Sequence, residues 1–396
     1  MIRKKQLAAF VAVLFCTVAF SQKSQQPLLS VIDKALDNAV EQYTYLSTQV
    51  PKGVLPKTYY PVKKLETSGS GWWTSGFYPG SLLYLYEYSK DASLKTEALE
   101  RLALLEKEQY NKGTHDLGFM MYCSYGNANR LMPDKKYEDI LVNSAKSLST
   151  RFNPVVASIR SWDSKPWKWP VIIDNMMNLE LLFWATKHTG DSSFYKIAVA
   201  HANTTMKNHY RKDYSSWHVV DYDVNTGQVL AKKTAQGFAD SSAWARGQSW
   251  GLYGFTVMYR ETKDKKYLAQ AMHIANFLLA HPNLPADNIP YWDYNSIDIP
   301  ATYRDVSAAS IEASALIELS RYAGTPKNAI YLKHAEKILR VLATRTYTAA
   351  PKQIGGFILK HSVGNIPGNS EIDVPLTYAD YYYIEAMMRY KALKKR

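Results

Sequence analysis

The chain has 396 residues, a formal net charge of +13, 46% hydrophobic residues and two cysteines, Cys16 and Cys123. This length and apolar content exclude a small disulfide scaffold and a disordered chain, and they suit a core that buries roughly 75% of the unfolded surface. The cations are dispersed apart from the "KALKKR" tail and carry no nucleic-acid motif, which argues against a nucleic-acid partner.

The first element in chain order is a targeting segment. "MIRKKQ" reads as a basic n-region, "LAAFVAVLFCTVAF" as an apolar h-region and "AFS" before Gln22 as a small-residue cleavage site. Residues 1–21 are therefore expected to be a signal peptide, with 22–396 as a single catalytic domain that is exported, periplasmic and free of membrane after cleavage. Cleavage would remove Arg3, Lys4 and Lys5, leaving ten of the thirteen net positive charges. It would also leave Cys123 as the one cysteine, so no intramolecular disulfide is expected. A basic exported protein meets acidic polysaccharide more readily than nucleic acid. The 10 Trp and 30 Tyr fit that partner, since flat aromatic faces stack on sugar rings.

Helical periodicity follows, repeated. Residues 28–46 form one amphipathic segment. Five helical hairpins come next, over 81–110, 122–152, 178–210, 249–281 and 310–345, and residues 378–393 close the series. Turn chemistry breaks each hairpin: "SKDAS", "MPDKK", "TGDSS", "TKDKK" and "AGTPK". The first helix of each pair is the more apolar and aromatic; the second is more amphipathic. That asymmetry predicts an all-α fold, an (α/α)6 barrel of about twelve helices in inner and outer rings. A helical solenoid is the alternative. Closure is favoured because the set starts on an outer-type helix and ends on an inner-type one. The long connectors fall before the inner helices, so a closed barrel gathers them at one mouth, over helix N-termini that suit an anion.

Two carboxylates stand out in those connectors: Asp116 in "HDLGF" and Asp174 in "IIDNMMN". Each is either a helix N-cap or a catalytic acid. The apolar flanks favour the acid, because desolvation raises a carboxyl pKa toward neutrality. "WARGQSW" places Arg246 and Trp250 at i and i+4, on one helix face, where a guanidinium and an indole would grip a uronic acid; a structural ion pair is the competing reading. His218 in "SSWHVVD" is a substrate donor or a surface histidine. Arg304 and Asp305 read as a structural pair with a helix cap. No GxSxG, Walker A or HExxH motif and no metal-ligand spacing occurs, so no cofactor and no metal is expected.

Taken together, "HDLGF", "IIDNMMN" and "FADSSAWARGQSWGLYGF", in this order, resemble the unsaturated glucuronyl hydrolases of glycoside hydrolase family 88 across nearly the whole mature chain. The resemblance implies an (α/α)6 barrel that hydrates the C4=C5 bond of a 4,5-unsaturated uronic acid at the non-reducing end of lyase-generated oligosaccharides. Asp174 matches the acid/base and Asp116 the assisting carboxylate. His218, Thr234, Gln236, Trp244, Arg246 and Trp250 match the subsite for the unsaturated ring, and Trp73 and Phe77 its aromatic wall. Members adapted to sulfated disaccharides tend to carry Arg after the Thr and a late Ser-x-x-Ser-x-Lys run. Here Ala235 follows Thr234, and "SVGNIPG" keeps Ser362 but has Asn365 and Pro367 in the later places. The partner class is thus unsaturated uronic-acid oligosaccharides, from glycosaminoglycan, ulvan or a similar polyuronate, with the protein a monomer or dimer. Three alternatives stand beside this reading. One is a rhamnogalacturonyl-type hydrolase, because family 105 shares "HDLGF". Another is an epimerase, though no His pair stands at the inner helix starts. The third is a non-catalytic glycan-binding protein.

Overall fold

The computed structural model describes residues 26–395, so the expected signal peptide, with Cys16 and the Ser21 site, lies outside the described residues. Twelve helices, counted among the described residues, alternate between two rings. The outer ring holds α1 (Leu28–Gln49), α3 (Ala92–Leu105), α5 (Lys135–Ser149), α7 (Ser192–Asn208), α9 (Lys265–Ala280) and α11 (Lys327–Leu342). The inner ring holds α2 (Phe77–Ser89), α4 (118–131), α6 (173–189), α8 (Ala245–Thr262), α10 (Val306–Ser320) and α12 (Thr377–Lys394). Helix α4 opens with wide π-type turns over Gly118–Gly126, and α6 opens with a tight 3-10 stretch over Ile173–Asn178.

Composition explains the two rings. Every residue of α10 is buried, and apart from Glu312 and Glu318 all of them are apolar or small. Helix α5 buries one stripe and turns Lys and Glu outward. The hairpin turns work as their sequences predict. Asp91, Asp134, Asp191 and Asp264 each cap an outer helix by accepting the N–H two residues on, at 2.8–3.0 Å. The inner helices α2, α6 and α8 end on the left-handed residues Lys90, Gly190 and Lys263, which turn the chain back. The fifth turn differs: Pro326 precedes α11 and supplies no side-chain cap.

The ring closes. Helix α12 packs between α10 and α2, and the outer helix α1 lies behind it. Tyr43 of α1 reaches Asp380 of α12 at 3.4 Å. Asp380 also accepts the Ile358 and Leu359 N–H groups, both at 2.9 Å, tying the last connector to the last helix. Close packing between inner helices needs small residues: a Cβ on Gly118 would sit 2.5 Å from the Asn178 Cα. The main hydrophobic core draws on residues from Leu28 to Tyr390, and a small second cluster joins Val156, Val171, Val220 and Tyr222.

The connectors add short antiparallel strands that the helical reading did not anticipate. They are β1 (Leu55–Tyr60) with β2 (Lys64–Ser68), and β3 (Phe152–Asn153) with β4 (Ser158–Ile159). Strand β5 (Pro170–Ile172) joins β6 (Val219–Tyr222) and β7 (Val229–Lys233), and β8 (Ser362–Asn365) pairs with β9 (Ser370–Val374).

Asp380 gives this architecture a direct test. Asp380→Ala should lower unfolding free energy by about 2 kcal/mol or more in urea titration, because two buried N–H groups lose their acceptor.

Candidate active site

The N-terminal ends of the inner helices form one mouth, and the connectors roof it. There a pocket of about 240 Å³ is lined by Trp73, His115, Asp116, Trp162, Ile172, Asp174, Ala235, Gln236, Arg246 and Asn365.

Asp174 lies in the first turn of α6. The residue before that turn, Ile172, occupies the cap position and makes no side-chain cap bond. The N-cap alternative for Asp174 is therefore not met: its Oδ2 is buried and accepts no hydrogen bond. The segment before it is fixed by other groups. Ser161 Oγ accepts the Ile172 N–H at 2.9 Å and donates to Asn175 Oδ1 at 2.8 Å. The Ile173 N–H donates to the His218 carbonyl at 3.0 Å. Asp174 is thus held buried at the wall of the pocket. Burial pushes its carboxyl up to about 7, and Asp116 adds to the rise; Arg246 and the nearby Trp250 indole oppose it.

His218 is a close polar neighbour of Asp174. The Ala235 and Gln236 N–H groups donate to His218 Nδ1 at 3.1 and 3.2 Å, so the ring hydrogen sits on Nε2. Nε2 faces Asp174 Oδ2 at 3.6 Å. Burial, with the Arg246 charge, lowers His218 to about 3, so it is a neutral donor at physiological pH. It is no surface histidine; its side chain is 1% exposed. Asp116 stands across the pocket. Thr114 Oγ1 donates to its Oδ2 at 3.3 Å, and His115 Nε2 lies 3.3 Å from its Oδ1. Asp116 likewise makes no side-chain cap bond, since Leu117 holds the cap position of α4.

Arg246 is fully buried. Its Nη1 lies 3.3 Å from Asp305 Oδ2 and donates to the Val363 carbonyl, and its Nη2 donates to the Gly364 carbonyl at 2.7 Å. The guanidinium is sandwiched between Trp244 (4.5 Å) and Tyr378 (5.2 Å). Two expectations change here. The stacking partner is Trp244, not Trp250. Asp305 caps α10 but pairs with Arg246, while Arg304 pairs with Asp287 at 2.9 Å. The ion-pair reading of Arg246 is met, and yet Arg246 also lines the pocket, with its Nε unpartnered.

The remaining candidates divide by depth. Gln236 lines the pocket and donates to the Gly364 carbonyl at 3.2 Å; Trp73 supplies an indole wall. Thr234, Trp244, Trp250, Phe77 and Ser362 are not part of the lining. Thr234 Oγ1 accepts the Gly237 N–H at 2.8 Å and shapes the loop that carries Gln236. Trp244 packs on His218 at 4.5 Å, Phe77 backs Trp73 at 5.9 Å, and Trp250 packs on Phe119 at 5.0 Å. Ser362 is wholly buried in β8, and Asn365 of the same hairpin faces the pocket instead. Sequence reasoning passed over His115 and Trp162 as lining residues. The neighbouring His in "HDLGF" was the signal for one, and the aromatic "SWDSKPWKW" loop for the other.

A second cavity, about 390 Å³, opens among residues such as Tyr84, Tyr122, Trp184, Glu180, Glu385 and Arg389. It holds none of the candidates, and none of its lining side chains has an orphaned buried polar atom. The mouth differs. Asp174 Oδ2, His115 Nε2, His218 Nε2, Arg246 Nε and Trp250 Nε1 are all buried without a partner in or just behind one small pocket. Native proteins rarely leave such groups unpaired.

Comparison with known proteins points the same way. No family model matches the chain. It is 49% identical over 320 residues to the unsaturated glucuronyl hydrolase of Formosa agariphila, covering 80% of this chain and 79% of that one. Its fold matches the crystal structure of an unsaturated glucuronyl hydrolase specific for heparin, with a TM-score of 0.90, 49% identity and coverage of 93% of this chain and 98% of that one. It also matches the glycosaminoglycan-degrading unsaturated glucuronyl hydrolase of Bacillus sp. GL1, with a TM-score of 0.86, 27% identity and coverage of 91% and 97%.

The buried acid should reveal itself in stability. A carboxyl whose folded pKa is raised favours folding most at low pH, and that contribution is lost as pH climbs from about 4 to about 7. Asp174→Asn should therefore be more stable than the native protein at pH 8, by a few kcal/mol at most, with the gain vanishing below about pH 4. Thermal unfolding across that range measures it.

Proposed function

The chain belongs to the unsaturated glucuronyl hydrolases, and from that premise we infer that it removes the 4,5-unsaturated uronic acid from the non-reducing end of lyase-generated oligosaccharides by hydrating the C4=C5 bond. The observation that carries the reading is the cluster of orphaned polar atoms around an acid poised near neutrality.

In the proposed cycle, protonated Asp174 delivers its proton to C4. The π electrons form the new C–H bond, and positive charge develops at C5 beside the ring oxygen. The Asp174 carboxylate then takes a proton from the water that attacks C5. The resulting hemiketal rearranges and releases the remaining sugar. A group with a pKa of about 7 suits both halves, because it gives and takes a proton at comparable cost. The His218 Nε2–H group, 3.6 Å from Asp174, is placed to donate to the carboxylate once it has lost its proton. Asp116 is proposed to accept a hydrogen bond from the substrate. The Trp73 and Trp162 indoles offer flat faces for the sugar, and the inner-helix N-termini together with Arg246 supply positive potential for the uronate.

For the substrate, the 49% identical solved relative is specific for heparin. Heparin-lyase products are therefore the first choice, with ulvan products next because Ala235 lines the pocket in place of a cation. Export to the periplasm is proposed from residues 1–21. Intact mass of the protein from a periplasmic fraction should begin at Gln22, and a retained Met1 would contradict it.

The activity test follows the ultraviolet absorbance of the conjugated bond in lyase products of heparin, chondroitin, hyaluronan, ulvan and alginate. Absorbance should fall with at least one product, and Asp174→Asn should slow the fall by about 10²-fold or more. Absorbance that persists throughout the panel would contradict the reading.

A further inference from the structure

Ser161 joins the two segments that carry the carboxylates. It is buried just before Trp162, and its polar atoms are committed to several segments at once. Its N–H donates to the Pro170 carbonyl at 2.8 Å. Its carbonyl lies 2.9 Å from His115 Nδ1 and accepts from Arg151 Nη2 at 3.2 Å. A carbonyl can only accept, so His115 donates to it through Nδ1. The Ser161 hydroxyl accepts the Ile172 N–H at 2.9 Å and donates to Asn175 Oδ1 at 2.8 Å. Asn175 Nδ2 in turn donates to the Ile159 carbonyl at 2.8 Å, which closes the clamp on both sides of residue 160. His115 immediately precedes Asp116, and Ile172 and Asn175 bracket Asp174.

A buried serine can serve stability alone. Ser147 does so: its Oγ donates to the Gln109 carbonyl at 2.7 Å, and neither residue lines the pocket. Ser161 differs in what it holds. His115, Trp162 and Ile172 all line the pocket, together with the two carboxylates beside them. We propose that Ser161 is a positioning residue: its carbonyl, bonded to His115, and its hydroxyl, bonded to Ile172 and Asn175, set Asp116 and Asp174 against each other across the pocket. This rests on the functional reading above only for its kinetic consequence; the placement is a property of the free protein.

Ser161→Ala keeps the carbonyl and removes the hydroxyl. The Ile172 N–H and Asn175 Oδ1 then lose their partner, and water enters at the first turn of α6 to replace it. Hydration favours the ionised form of Asp174. The other groups that act on Asp174 are Arg246, Asp116, the Trp250 indole and His218, and all of them stay in the variant. Carboxyl ¹³C NMR of free Ser161→Ala protein should therefore show the Asp174 midpoint lowered by about half a pH unit or more. Ser147→Ala should lower stability and leave that midpoint in place. A midpoint unmoved in folded Ser161→Ala protein, or moved equally in Ser147→Ala, would overturn the proposal, whether or not any lyase product is consumed. On a consumed product, Ser161→Ala should lower kcat by about tenfold or more with KM changed by less than about threefold. A loss confined to KM would also overturn the proposal. Should Ser161→Ala fail to fold, Ser161→Cys, whose thiol donates and accepts only weakly, should move the midpoint in the same direction, and an unmoved midpoint there would overturn it.

Discussion

Desolvation of one carboxyl group governs this molecule. Asp174 is held where no protein donor satisfies its Oδ2, and most of its unusual acidity follows from its burial. Such a site must be enforced, because a free chain would let the carboxylate reach water. The barrel enforces it by stacking inner helices around the site and threading the β5–β6–β7 sheet directly in front of α6. Asp380 shows that burial alone is insufficient for function. It too is pushed up to about 7, yet it spends both oxygens on backbone N–H groups and lines neither the pocket nor the second cavity. What separates the two is an orphaned oxygen facing a cavity.

Arg246 is the counterweight. Its guanidinium lies between two aromatic rings, pairs with Asp305 and binds the carbonyls of Val363 and Gly364. One side chain thus joins α8, the cap of α10 and the β8–β9 hairpin. It also projects charge into the pocket, lowering both Asp174 and His218. A lysine would lack the planar fork needed to hold two carbonyls and a carboxylate at once. The structural and electrostatic roles of Arg246 therefore rest on the same geometry.

Much of this was legible in the sequence, for identifiable reasons. Helical period, hairpin turns and Asp caps are local, and they gave the barrel, its closure and the end at which the site lies. The pairings were not legible because they are distant in sequence. Arg246 and Asp305 are 59 residues apart, and Arg246 and the Val363 carbonyl 117. Adjacency wrongly suggested Arg304 for Asp305, and i,i+4 spacing wrongly suggested Trp250 for Arg246. The cap reading of Asp174 failed because the 3-10 turn begins one residue before it. The histidine tautomers at the site depend on backbone groups of Ser161, Ala235 and Gln236 that no side-chain pattern encodes.

The central claim is that burial raises Asp174 to about 7, so that its protonated and ionised forms are both populated near neutral pH. Carboxyl ¹³C NMR of aspartate-labelled protein, with Asp174 assigned by its absence in Asp174→Asn, measures this directly. A titration midpoint at about 7 is the predicted result. A midpoint at about 3.9, the value of an exposed aspartate, would contradict the account.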